Sequence, residues 1–417
     1  MPPERSGFSP AWLARLVVVV ILVGIGSGLS GLLVSVVLHL LEHLAFGYSS
    51  GTFLHAVMRA APTRRGIAVG IAGVAGAIGW WALRRWGRPV VSVESAVEGE
   101  RMPKLVTTAN AALQIVIVGL GASIGREVAP RELGAMIAGW ISERARLTPR
   151  EARILVACGA GAGLAAVYDV PLGGALFAVE ILLAELSLAT ALPAFATAGI
   201  ATLVAQLAVP SGPLYKLPLV PFSPSLLVWA IIAGPTIGFA ALGFVSGTRW
   251  ALTHRIRGNW ILLAMPLIFL AVGALSIPFP SILGNGMALG QLAFAGAAPV
   301  LLMAVLFLVK AVATGGTIYS GAAGGTLTPS LALGAALGFV LGGAWLLLWP
   351  GSSIVGFALV AAAAFLASTL RAPFTALILV LEFTGQGPAL IAPTMIAVAG
   401  SVAITYLFRR TRISGVA

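Results

Sequence analysis

The run Gly125-Arg126-Glu127-Val128-Ala129-Pro130 sets an arginine and a glutamate side by side inside a long apolar region. Ionisable residues at membrane depth are costly to bury and are functional-site hypotheses by default. Glycine and proline interrupt the chain here, and Arg131-Glu132-Leu133-Gly134-Ala135-Met136 opens a helical run beyond them. A helix N-terminus presents unpaired amide N–H groups and partial positive charge, so such a stretch can hold an anion. A second interrupted stretch, Gly324-Gly325-Thr326-Leu327-Thr328-Pro329, offers the same chemistry. Two N-termini aimed at one dry central point suit a small monovalent anion, because amide donors replace its hydration shell yet let it leave, and the same dipoles repel cations. Glu127 has two readings. As a gate it competes with the anion when deprotonated, swings away when protonated, and can carry a proton. As a structural residue it pairs with Arg126 or Arg131 and anchors the turn.

The elements that must position these residues are transmembrane helices. The chain has 417 residues, of which 59% are hydrophobic and 9% charged, whereas soluble domains carry about 25% charged residues. Apolar runs over 16–41, 226–245, 261–277 and 299–309 are long enough to enter or span a bilayer. No ten-residue alternation of a barrel is present, so the chain reads as an all-α polytopic membrane protein. The net charge of +12 lies in short loops and at the ends, at Arg5, Arg15, Arg409, Arg410 and Arg412. That pattern follows the positive-inside rule rather than nucleic-acid binding, and it puts both termini in the cytoplasm. The single cysteine, Cys158, allows no intrachain disulfide. Four histidines without ligand spacing give no metal site, and no cofactor is expected. His39 and His43 can share a helix face in a packing or interfacial role. No HExxH, paired catalytic aspartates or Ser/His arrangement points to an enzyme.

The chain repeats itself. A polar leader (1–10) precedes a first half (11–209), a Pro-rich linker (210–224), a second half (225–408) and a short basic tail (409–417). Gly24, Gly26, Gly28 and Gly31 allow close helix packing in lipid, and this stretch has a counterpart from Gly234. Pro130 has its counterpart in Pro329 (329 − 130 = 199), and Pro171 in Pro373 (373 − 171 = 202). Each of the latter prolines precedes a glutamate by nine residues, Glu180 and Glu382 (180 − 171 = 9; 382 − 373 = 9). Repeated halves with broken helices mark transporters and channels, with the substrate site at the repeat interface. Two inverted-topology repeats, each with an odd number of crossings, agree with two cytoplasmic termini.

At these residues the sequence resembles the CLC family of chloride channels and chloride/proton antiporters. Gly125–Pro130 is similar to that family's GREGP motif, with Val128-Ala129 in place of the second glycine. Gly325-Thr326-Leu327-Thr328-Pro329 is similar to its GxFxP motif, with Leu327 in place of phenylalanine. The stretches 163–180 and 368–382 also resemble the family, and the likeness runs from about Glu94 to Tyr406. The resemblance implies a homodimer in a bacterial inner or plasma membrane, with one anion pathway per subunit. It implies that Glu127 is the gating glutamate and that Arg126 supplies positive potential near the outer entrance. Arg126, Val128, Thr326 and Leu327 would line the anion path, with the Thr326 and Leu327 amides at the central site. Gly125, Pro130, Gly325 and Pro329 would be its motif glycines and prolines.

Three departures bear on the mechanism. Where the family has GSGIPE, this chain has Gly87-Arg88-Pro89-Val90-Val91-Ser92, and Ser92 is near but not aligned with the motif serine. The inner proton-transfer glutamate of the antiporters falls at Ile181, which cannot carry a proton. The inner-site tyrosine falls near Ser414, with Tyr406 too early, and no cytoplasmic regulatory domain is expected. The channel-like reading therefore leads, motivated by Ile181. A proton-coupled chloride or fluoride antiporter, motivated by Glu127, is the alternative, and a non-conducting scaffold a further one. Glu180 is expected to be a dimer-face or structural glutamate, paralleling Glu382. Asp169 is expected to cap the helix that follows it. Lys310 either lines the path or snorkels to an interface, and the latter is expected. Trp80, Trp81, Trp86, Trp345 and Trp349 are expected in an interfacial belt.

Overall fold

The computed structural model describes residues 10–208 and 211–414. Arg5 and the side chains of Arg409, Arg410, Arg412 and Ser414, on which the expectations about the chain ends rest, lie outside the described residues. The described chain is helical, with nine helices long and apolar enough to cross a membrane. The first half holds α1 (Pro10–Phe46), α2 (Phe53–Arg59), α3 (Pro62–Trp86), α4 (Val93–Val97), α5 (Lys104–Gly119), α6 (Val128–Arg144), α7 (Pro149–Tyr168), α8 (Pro171–Leu176) and α9 (Leu188–Ala205). The second holds α10 (Pro224–Thr253), α11 (Ile261–Leu275), α12 (Met287–Phe294), α13 (Val300–Tyr319), α14 (Leu327–Trp345), α15 (Ile354–Leu370), α16 (Pro373–Thr384) and α17 (Ile391–Ser414).

The repeat is visible in who packs against whom. Helices α6 and α7 pair as α14 and α15 do, and α1 packs on α9 as α10 packs on α17. Equivalent elements also meet across the halves, α3 on α11 and α8 on α16. Contacts between equivalents are the mark of a two-fold relation between the halves. Both halves break at the same place in the same way. Asp169 (φ 57°) and Arg371 (φ 60°) end α7 and α15 in the left-handed region, and each is followed two residues later by the proline that opens the next helix. Proline has no N–H to lose at a first helical position, so it starts a helix there at no cost. Helix α8 runs on into a π-helical turn, Phe177–Leu182.

Close approach at α1 uses its glycines. A Cβ on Gly28 would lie 2.8 Å from the Ala201 carbonyl oxygen of α9, and one on Gly24 would lie 2.8 Å from Ile200 Cβ. Only glycine lets the two backbones pass at that separation.

Two expectations fail. Asp169 does not cap α8; it is the C-cap of α7, and its carboxylate accepts Gln206 Nε2 at 2.7 Å and the Gly212 amide at 2.9 Å. It thus ties the α7 break to the segment leaving α9. Trp80 is not interfacial. It is fully buried, and its Nε1 donates to Asn110 Oδ1 at 2.9 Å. Trp86 and Trp349 are exposed, in keeping with a belt position.

Candidate anion site

Two broken helices meet at one point. The Gly125 amide donates to the Gly325 carbonyl at 2.8 Å, and the Gly325 amide donates to the Gly125 carbonyl at 3.0 Å, an antiparallel bridge between the halves. Just beyond it, Glu127 is the N-cap of α6 and Thr326 the N-cap of α14. Pro130 and Pro329 each stand three residues past those caps (130 − 127 = 3; 329 − 326 = 3), inside the first turn where a missing N–H costs nothing. The bridge fixes both helix starts against each other.

Glu127 does not cap its own helix with its side chain. The carboxylate crosses to the other repeat, where Oε1 accepts the Leu327 amide at 2.6 Å and Oε2 accepts the Thr328 hydroxyl at 3.1 Å. The Tyr168 hydroxyl stands 3.4 Å from Oε2. Glu127 is fully buried. Gly125 and Gly325 make the space for it, since a Cβ on either would strike the Glu127 carboxyl group. Neither Arg126 nor Arg131 forms an ion pair with Glu127, and Arg131 instead reaches Glu94 at 3.6 Å. The ion pair on which the anchoring reading of Glu127 rests is absent among the described residues, and its carboxylate sits where amide and hydroxyl donors of α14 converge.

Of the residues expected to line the path, Leu327 contributes its amide. The second donor is the Thr328 hydroxyl rather than the Thr326 amide. Val128 is half-buried at the first position of α6. Arg126 is buried and lays its guanidinium over the Tyr168 ring, 4.7 Å from the centroid. It lines a cavity of about 150 Å³ with His39, Glu42, Tyr48 and Tyr215. There the Tyr48 hydroxyl donates to Glu42 at 3.3 Å; burial, and then the Glu42 carboxylate, push the Tyr48 phenol up, which keeps it a donor. His39 and His43 do share a helix face, their rings 6.5 Å apart.

A second, larger cavity of about 950 Å³ lies at the far end of α6, lined by Met136, Gly139 and Glu143 of that helix, with Arg101, Lys104 and Arg153 among its other walls. This is the end at which α1 begins, because Trp12 Nε1 donates to Glu151 Oε1 at 2.5 Å, next to Pro149 and Arg150 on the same cavity wall.

Lys310 corrects another expectation. It does not snorkel. Its side chain is fully buried, and Nζ donates to Ser123 Oγ at 2.9 Å, Ile282 O at 2.8 Å and Gly284 O at 2.8 Å. It ties the segment entering Gly125 to the turn before α12, where the Gly284 amide also donates to the Gly121 carbonyl at 3.1 Å. Glu180 and Glu382 are structural, as expected. Glu180 accepts the Phe374 and Thr375 amides at 3.1 and 2.6 Å, and Glu382 accepts the Leu172 and Gly173 amides at 3.0 and 2.7 Å. Each therefore caps the short helix of the other repeat. Ile181 is half-buried against the apolar core, and exposed Ser92 caps α4 by accepting the Ser95 amide at 3.1 Å.

The sequence profile of the family described as voltage gated chloride channel matches residues 72–406. The chain belongs to this CLC family. Among CLC relatives, the voltage-gated ClC-type chloride channel ClcB of Escherichia coli O157:H7 is 30% identical over 362 residues, covering 83% of this chain and 85% of ClcB. The ClcB of E. coli strain K12 / DH10B matches over the same shares. The crystal structure of a slow cyanobacterial Cl⁻/H⁺ antiporter superposes with a TM-score of 0.81 at 22% identity, covering 94% of this chain and 95% of that one. A CLC-type fluoride/proton antiporter superposes with a TM-score of 0.72 at 20% identity, covering 95% and 96%. These two likenesses establish the CLC fold, two inverted repeats of broken helices in a membrane. Family membership makes the chain an integral membrane protein of anion transport.

Proposed function

We propose that this CLC protein exchanges chloride, or another small monovalent anion, for protons across a bacterial membrane, with Glu127 as the gate of one pathway in each subunit of a homodimer. The observation that carries the proposal is the Glu127 carboxylate on the Leu327 amide and Thr328 hydroxyl. Those donors suit any small anion, and the carboxylate competes for them. Protonation removes its charge and the charge-assisted part of both bonds, so the neutral side chain leaves and the anion takes the donors. One group thereby answers to both anion and proton, which is the minimum an exchanger needs. Both superposed structures are of proton-coupled antiporters, which supports coupling. Arg126, buried at the small cavity beside the gate, adds positive potential on the side we assign to the exterior. Both termini are assigned to the cytoplasm.

A passive channel is the second reading, favoured by Ile181 where the resemblance puts the inner proton glutamate. Purified protein in liposomes separates the two. With an imposed chloride gradient and no initial pH gradient, an exchanger moves protons uphill as chloride runs down. Chloride flux without proton movement overturns the exchange reading. No flux of chloride, bromide, nitrate or fluoride overturns anion transport itself.

A further inference from the structure

Glu132 is a second buried carboxylate on the gate helix, five residues past Glu127. It meets no cation at ion-pair distance among the described residues. Its partners are two neutral amides of α5. Asn110 Nδ2 donates to Oε1 and Oε2 at 3.0 and 2.9 Å, and Gln114 Nε2 donates to Oε2 at 3.0 Å. The charged groups that act on it are Arg131 and Glu94, which pair with each other.

The two amides are not equivalent. The indole N–H of Trp80 can only donate, and it donates to Asn110 Oδ1. That fixes the Asn110 amide with its nitrogen toward Glu132. Gln114 has no such constraint. Its Oε1 is buried without a partner, while the residue is fully buried. A half-turn of the Gln114 amide would bring Oε1 onto Glu132, where a protonated carboxyl could donate to it. The ionised form is held by two N–H donors, and the protonated form by one donor and one acceptor.

The position suits a proton entering from the chain-start face. On α6, Glu132, Met136, Gly139 and Glu143 follow one another at intervals of four, three and four residues, so they share one helical stripe. The last three line the large cavity. Glu132 is the deep end of the stripe; it stands about 7.5 Å along the axis and about 140° around it from Glu127, so a proton passes between them around α6 along a chain of waters rather than across a single bridge.

We propose that Glu132 is the inner proton-binding site of this chain, standing in for the carboxylate that Ile181 lacks. One proton passes from water in the large cavity to the Glu132 carboxylate, Gln114 turns to accept from the new O–H, and the same proton then moves through water to Glu127. No electron moves and no other bond breaks. This inference rests on the exchange reading above. The test measures chloride and proton flux in liposomes for the wild type, E132Q and E132D, together with infrared pH titration of the carboxylic-acid C=O band in the wild type and E132Q. The expected result is a proton-to-chloride ratio at least about tenfold lower in E132Q and partly restored in E132D, with a titrating band that E132Q lacks. Wild-type coupling that E132Q leaves intact, in monodisperse protein, overturns the proposal. A wild type that moves no protons overturns exchange; a titrating band missing from E132Q then still upholds Glu132 as a proton site, and identical spectra overturn it.

Discussion

Glu127 and Leu327 lie in opposite repeats, 200 residues apart, and are joined at 2.6 Å by a carboxylate accepting a helix N-terminal amide. The bond makes the proposed gate of one repeat a ligand to the other. Charge-assisted bonds of this kind contribute about 1.5–3 kcal/mol each, roughly twice a neutral one. Glu127→Gln keeps shape and loses charge, so it holds the donors less well. We expect chloride flux at neutral pH to rise by about tenfold, the factor that 1.4 kcal/mol represents. The sign of the pH effect follows. Acid protonates the wild-type carboxylate and releases it, so wild-type flux rises as pH falls, whereas the glutamine variant stays flat. Liposome flux between acid and neutral pH checks both statements, and an unchanged pH response in the variant would remove Glu127 from the gate.

Gly325→Ala tests the space rather than the charge. Gly325 is not in the left-handed region, so alanine fits its backbone, but the added Cβ would come within 2.8 Å of Glu127 Cγ and closer to the carboxyl. The carboxylate must then leave the Leu327 amide. We expect the ratio of acid to neutral flux to fall toward that of Glu127→Gln. Because the methyl also narrows the anion's place, absolute flux should fall too. A variant with wild-type pH response would mean the glycine serves only the bridge.

Much of this arrangement is legible in the residues alone. Gly125 and Gly325 announce themselves because glycine and proline are the residues that break a membrane helix, and the break recurs in each half. The partners of Glu127 are less legible. Thr328 lies inside a motif, but which donor of the α14 N-terminus reaches across depends on side-chain direction. Tyr168 comes from the end of another helix and carries no local pattern. Trp80 and Lys310 mislead for one shared reason. A polar or amphipathic side chain in an apolar run reads as interfacial unless its partner is known, and those partners, Asn110 and the carbonyls of Ile282 and Gly284, are 30 and 26–28 residues away. Asp169 misleads because a residue before a proline looks like the start of a helix, and here it is the end of one.

Lys310→Met preserves the apolar stem and removes the three donors. The Ile282 and Gly284 carbonyls can only accept, so two buried acceptors lose their partner at about 1–3 kcal/mol each. Relief from burying a lysine head group offsets part of this. We expect a net loss of about 1–3 kcal/mol, read as a lower thermal unfolding midpoint in detergent. A midpoint equal to the wild type would mean the turn before α12 is held by the Gly284–Gly121 bond alone.

Glu382→Ala and Glu180→Ala test the crossed caps. Each removes a carboxylate that accepts two backbone amides at the N-terminus of the other repeat's short helix. Losing a cap of this kind costs about 0.5–2 kcal/mol, and more where the amides stay buried. Glu180 also accepts the Thr375 hydroxyl at 2.6 Å, so Glu180→Ala should lower the unfolding midpoint more than Glu382→Ala. Aspartate at either place keeps the charge but shortens the reach by one methylene, and should recover only part of the loss. Neither glutamate touches Glu127, so the folded fraction of each variant should keep the wild-type pH dependence of chloride flux. A changed pH dependence in Glu180→Ala, with the midpoint unmoved, would assign Glu180 to the proton route instead of Glu132.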